Sequence, residues 1–530
     1  MFYSFPFSTL FKLRVVTRSV MSCAALGIVF FVVSCSGREN SVPLLSDKDR
    51  PFVVALDSAP TQLDPRLSTD AYSERIGHLL FNSLIRTSAN GEIVPDLASR
   101  WEIQDDTIYT FYLKDAVKFH DGKPLTSEDV RYTYLSMQEE SLASPRAKTY
   151  EIVKAIETPN LTTVRFILEK PNAPFLSQMT TGIVPKHLAE GNPEGFAKSL
   201  IGSGPFSFVQ YQPDHFLELR AFPGYTISPP PLLSSILFRI IPDESTRLLE
   251  LAKGNIDLLQ NVFPPDMLVR LQKNPALKIE RAESTTYSYL GFNLTDPILG
   301  KVAVREAIAH AIDKEKITKY IFQGLAHPAN SLLTERHWAY APTPTRSYDL
   351  KRAAALLDEA GYTKDRLGIR FRLIYKTSQN ELGRRVAEVI QEELSQTGIA
   401  VTIRSYEWGT FFSDVKSGNF QLFSLQWVGV NDPDIFYELF HSQSVPPNGS
   451  NRVRYQNEKM DKLVEEGRVL VDPDQRKPVY KAVQEILAKD VPYVSLWHTK
   501  NVAVMKKEVI GYTLYANGDF YALSHTARSQ

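Results

Sequence analysis

Residues able to do covalent chemistry are present in this sequence, but not in arrangements that would let them do it. The 10 His are scattered along 530 residues. His120 sits in a Phe-His-Asp-Gly turn, and His498 lies beside Trp497. The chain has no H-E-x-x-H helix, no G-x-S-x-G elbow and no phosphate-cradling Walker loop. The acidic pairs Glu392-Glu393 and Glu465-Glu466 fall on expected helix surfaces, where solvation suits them better than acid–base work. No His/Cys cluster has the spacing of a metal site. Ser203 and Gly204 offer backbone N–H groups to a ligand, although Gly-Ser-Gly-Pro is equally a tight turn. Arg404 and Glu407, next to Trp408, suit a solvated face. Noncovalent recognition is the chemistry left, so neither an enzyme nor a cofactor is expected.

The elements that must position these groups alternate between two periods. Tyr109, Phe111 and Leu113 share one face of a strand, and Val164, Phe166 and Leu168 repeat the pattern. Asn90-Gly91 and Asp121-Gly122 are hairpin-type turns. Further on, Val304, Ala307, Ile308, Ala311 and Ile312 form an apolar helix stripe. Asp349 is placed to cap a helix whose buried face is Ala353, Leu356, Leu357 and Ala360, with Gly361 as its stop. Val386, Val389, Ile390 and Leu394 predict another helix, followed near Gly398 by a strand from Val401. The early part, 85–200, reads as an α+β module, and 291–498 as α/β. A length of 530 residues exceeds one core and implies two or three domains. Aromatics at 11% suit a large core and a cleft. Lys plus Arg equals Asp plus Glu at 60 each, so no general attraction to nucleic acid is expected.

The first 35 residues address the chain. Lys12, Arg14 and Arg18 precede the apolar run Met21–Val33, with no acid before Glu39. Thirteen helical residues cover about 20 Å, short of a hydrocarbon core of about 30 Å, which makes the segment a secretory signal and not a membrane span. The run closes in Val32-Val33-Ser34-Cys35, which resembles the lipobox of bacterial lipoproteins. That resemblance implies cleavage after residue 34, lipidation of Cys35, and a polar tether over 35–47. Cys23 is inside the signal, so no internal disulfide is expected. The expected location is the cell envelope or periplasm, anchored to a membrane by lipid.

Seven ordered segments carry a wider resemblance. They are Gln62-Leu63-Asp64-Pro65; Ile93 to Ala98 with Trp101-Glu102; Phe111 to Val130; Gly202 to Phe206; Gly254-Asn255-Ile256-Asp257; Phe292-Asn293 with Val304 to Ala307 and Ala311-Ile312-Asp313; and Tyr348 to Gly361. Together they resemble the extracellular solute-binding family 5, the peptide-, dipeptide- and nickel-binding components of ABC importers. The resemblance implies an α/β, two-lobed periplasmic-binding-protein type II-like fold with an added α+β module. The first lobe would comprise 48–84, 201–290 and 499–530, the module 85–200, and the second lobe 291–498. Ligand would lie between the lobes, which close about a hinge.

The resemblance also nominates site residues. Thr69 and Tyr72 follow the opening motif where the family has a ligand-facing loop, and Ser203 lies in the Gly-Ser-Gly-Pro turn. Tyr287 and Tyr289 approach the second lobe on one face of an expected hinge strand, one for ligand and one for core. Trp408 and Trp427 are the aromatics expected at the cleft, with Gln426, Val428 and Asp432 around them. Peptide-binding members place an Asp three residues after this Trp to pair with the ligand's α-amine, but here that residue is Val430. Either Asp432 or another acid reaches the amine, or the ligand lacks a free one. The expected partners are a peptide or similar small solute and separate permease and ATPase subunits, with the protein itself a monomer. The alternatives are a solute sensor without transport, or a binder of a metal chelate, opine or sugar.

Overall fold

The computed structural model describes residues 50–529. The signal over 1–34, Cys35 and the tether lie outside the described residues. Among the described residues, no helix is long and apolar enough to cross a membrane.

Two long strands organise the chain. Leu277–Phe292 and Tyr493–Lys506 pair antiparallel at the centre of an 11-stranded sheet. On one side the sheet continues through Leu422–Trp427, Phe371–Ser378 and Ile399–Tyr406. On the other it runs through Leu258–Gln260, Phe52–Leu56, Ser235–Ile240, Phe216–Ala221 and Phe206–Gln212. The boundaries expected at 290/291 and 498/499 fall inside the two central strands. Glu283 pairs with Lys500 and Tyr287 with His498, so Ser284, Thr285 and Thr286 stand opposite Thr499 alone. Such a bulge bends the ladder locally.

Each half has its own core, built by the expected periodicities. In one, Phe52, Val54, Leu79, Phe206, Phe238 and Leu523 pack together. In the other, Val304, Ile308, Leu356, Leu357, Ile390 and Leu394 cover the sheet. Phe371–Ser378 and Ile399–Tyr406 are parallel. A parallel pair requires a crossover, which Glu381–Gln396 provides. Asn380 caps that helix by accepting the Gly383 N–H at 2.9 Å. Glu393 corrects the surface reading of the 392–393 pair. It is buried, accepts the Asp313 N–H at 3.1 Å, and burial pushes its carboxyl up to about 7. Position 393 lies on the helix stripe with Val386 and Ile390, and the stripe is covered for its whole length.

The early module forms a separate four-stranded antiparallel sheet from Ala98–Gln104, Ile108–Leu113, Thr163–Leu168 and Val153–Asn160. Its core is aromatic, with Tyr109 edge-on to Phe175 at 4.8 Å and Phe111 edge-on to Phe166 at 5.8 Å.

Candidate ligand-binding cleft

A cavity of about 1470 Å³ lies where the two halves meet. Its floor is the bulge of the central strands, Glu283, Ser284 and Thr285, with Lys500 beside it. One wall comes from the first half: the helix Ala71–Leu80, the 86–96 hairpin and the 514–521 segment. The other comes from two loops of the second half, 334–338 and 428–432. Across the halves, the Lys148 ammonium donates to the Asn448 carbonyl at 3.2 Å, and Arg385 stands 3.6 Å from Asp266.

The helix wall follows from its sequence. Asp70 starts it by accepting the Ser73 N–H at 2.9 Å. Ile76, Leu79 and Leu80 go into the core, which turns Glu74, Arg75 and His78 to the cavity. The Gly-Ser-Gly-Pro turn supports the end of this helix. A Cβ on Gly202 would sit 2.0 Å from the Leu80 carbonyl oxygen, and one on Gly204 2.4 Å from that of Leu79. The Gly204 N–H donates to the Leu80 carbonyl at 2.9 Å.

The acids around the cavity are largely matched from within the protein. Glu74 is bonded to Arg146. Glu283 is 3.6 Å from Lys500 and 3.5 Å from His327. Asp432 pairs with Arg476 at 3.0 Å. Asp96 accepts the Ser83 N–H at 2.8 Å and the Asn82 amide at 2.9 Å, and its burial lifts its carboxyl above the usual range. His78 meets Asp519 at 2.5 Å. Burial opposes charge on both members, but each outweighs that penalty for the other: the His78 ring is held above its ordinary value and the Asp519 carboxyl below its own. The His337 ring is lowered by burial. Its Nε2–H donates to the Asn431 carbonyl at 3.1 Å, while Nδ1 accepts the Ala339 N–H at 3.1 Å. This ties the two loops of the second wall together. Among the described residues, no group of three or more His, Cys, Asp and Glu is placed to hold a metal ion.

The structure brings only part of the sequence-derived residue set together. Thr69, Val428 and Asp432 line the cavity. Tyr72 points elsewhere, stacking on Phe520 and donating to Asp57 at 2.7 Å. Ser203 is buried behind the helix, its hydroxyl accepting the Asn82 N–H at 3.4 Å. Tyr287 is 1% exposed, stacks on Tyr289 and bonds Ser495 at 2.7 Å, so both tyrosines are core. Trp408 is 54% exposed and stacks on Phe412, away from the cavity. Gln426 is exposed outside it. Trp427 is covered by the Arg452 guanidinium, 4.5 Å from its ring centre, and Arg452 in turn donates to the Tyr289 hydroxyl at 3.3 Å. Glu74, Arg75, His78, Arg336 and Trp338 line the cavity without having been singled out from sequence. The cap at Asp70 and the 3.6-residue period were signals for the first three. The last two sit on a loop that has no period.

Comparison with known proteins agrees with this architecture. The chain is 29% identical over 495 residues to the dipeptide-binding protein of Escherichia coli, covering 87% of this chain and 92% of that one. It is 29% identical to the oligopeptide-binding protein AppA of Bacillus subtilis, covering 95% and 97%. Among solved structures, NikZ from Campylobacter jejuni in complex with Ni(L-His) superimposes with a TM-score of 0.81 at 26% identity, covering 90% of this chain and 99% of that chain. AppA in complex with a nonapeptide gives 0.79 at 28%, covering 91% and 99%. The fold is therefore the α/β, two-lobed type II-like binding-protein architecture. Residues 92–447 match the description "Bacterial extracellular solute-binding proteins, family 5 Middle", and the chain belongs to that family.

Proposed function

We propose that this chain is the solute-capturing component of an ABC importer, with no catalytic role. It takes peptides or a solute of similar size between its lobes and hands them to a separate membrane permease. The supporting observation is the cavity of about 1470 Å³ between two halves that share two continuous strands. That volume exceeds the roughly 300–1,000 Å³ usual for small-molecule sites. The lobes are assigned to 48–84, 201–290 and 499–530 and to 291–498, with the module at 85–200. A ligand touching both walls favours the closed state by its differential contacts. Lipid on Cys35 keeps the protein at the membrane, beside the permease. The test is mass spectrometry of whatever co-purifies, followed by calorimetric titration of stripped protein with peptides. Failure of every peptide to bind would end the peptide reading, and release of a chemically altered product would end the non-enzymatic one.

A second reading has its own observation. The acid nearest the tryptophan motif, Asp432, is already paired with Arg476, and Val430 stands at the usual acid position. This favours a ligand without a free α-amine, such as a blocked peptide, chelate, opine or sugar. Competition between one peptide and its N-acetylated form decides between the readings: tighter binding of the free amine rejects this one.

A further inference from the structure

We propose that Trp338 is the selecting aromatic platform of this cleft and takes an aromatic or bulky apolar side group of a peptide ligand. The inference rests on the peptide-binding reading above. Trp338 lines the cavity and is 36% exposed. Its surroundings fix the ring before any ligand arrives. The Arg476 guanidinium carbon is 5.3 Å from the ring centre, Tyr480 is edge-on at 6.5 Å, and His337 is stacked at 5.7 Å.

Those braces are themselves held. Arg476 donates to Asp432 at 3.0 Å, to the Gly467 carbonyl at 3.0 Å and to the Tyr480 hydroxyl at 3.3 Å. His337 fastens the Trp338 loop to the 428–432 loop through the Asn431 carbonyl. A ring with two torsions, already immobilised, loses little entropy when a ligand covers it. Beside the ring, Val428 is 51% exposed and Val430 lines the cavity, together with the polar Glu335, Arg336 and Asn431. Asp432 is paired with Arg476, and the indole and the Val428 side chain are the exposed apolar groups that this wall offers a ligand. An exposed, braced indole gains from being covered by an apolar group, with a further contribution from ring–ring geometry. Trp427, with Arg452 over its ring, and Trp408 do not line the cavity.

The test uses stripped protein and the tripeptides Ala-X-Ala with X = Ala, Leu, Phe or Trp, titrated by calorimetry. The wild type is expected to prefer Phe and Trp over Ala by about tenfold. Trp338→Ala should erase that preference, weakening the Phe and Trp peptides about tenfold more than Ala-Ala-Ala, and Trp338→Phe should keep most of it. Full preference in Trp338→Ala, or equal loss of all four peptides, overturns the proposal, since equal loss is what a merely structural residue would give. Wild-type binding with no preference among the four sinks this inference alone. No binding of any peptide sinks it together with the peptide reading.

Discussion

The two walls of the cleft are built differently. The first-half wall stands on a capped helix and a hairpin, and its charges are balanced among themselves, Glu74 with Arg146 and His78 with Asp519. The second-half wall stands on two loops, and its ion pair joins Asp432, which borders the cavity, to Arg476, which lies against the Trp338 ring. One wall owes its shape to regular backbone hydrogen bonding. The other owes it to side chains bracing side chains. The second should therefore be the more sensitive to loss of a single polar partner.

The largest expected effect tests that difference directly. Asp432→Asn leaves the Arg476 guanidinium, 5% exposed, without its countercharge. Stability should fall by about 3 kcal/mol, near the lower end for a broken buried pair because Asp432 stays partly wet. Guanidinium chloride unfolding measures it, and a loss below about 1 kcal/mol would mean the wall holds without the pair. Next is Gly204→Ala under the helix wall. Its Cβ would meet the Leu79 carbonyl oxygen at 2.4 Å, so overpacking should cost about 2 kcal/mol by the same measurement. Proteins in which this change is neutral would have a first wall less rigid than its backbone contacts imply.

A smaller effect concerns pH. The raised His78 contributes stability at pH below about 6.5, and this is lost as pH rises through its folded value. The lowered Asp519 contributes above about pH 4, and this is lost as pH falls through its own folded value. His78→Asn should therefore lower Tm on the acidic side of neutrality and leave it unaffected at high pH. A uniform drop across pH would assign His78 to packing instead of charge. The smallest effect lies outside both walls: Trp408→Ala should change stability by no more than about 0.5 kcal/mol and leave titrations unchanged. Loss of binding there would extend the cleft beyond its present boundary.

The sequence was most readable where a local rule governs. Asp349 caps its helix by accepting the Lys351 and Arg352 N–H groups, as the spacing indicates, and the 108–113 and 163–168 strands bury the faces that alternation selects. Local rules misjudge residues that a distant partner covers. Glu393 looks like a surface acid until Asp313 and its neighbours close over it. Trp427 and Val428 are adjacent in the chain, yet Arg452 covers one and the cavity receives the other.

By itself the sequence determined the elements, the family motifs and the balance of charge, because each depends on neighbours within a few positions or on a motif read in order. Only the tertiary structure decided which aromatic faces the cleft. That depends on Arg476 and Tyr480 meeting Trp338 from about 140 residues away, with Asp432 holding Arg476, and no period or spacing in the chain records such meetings.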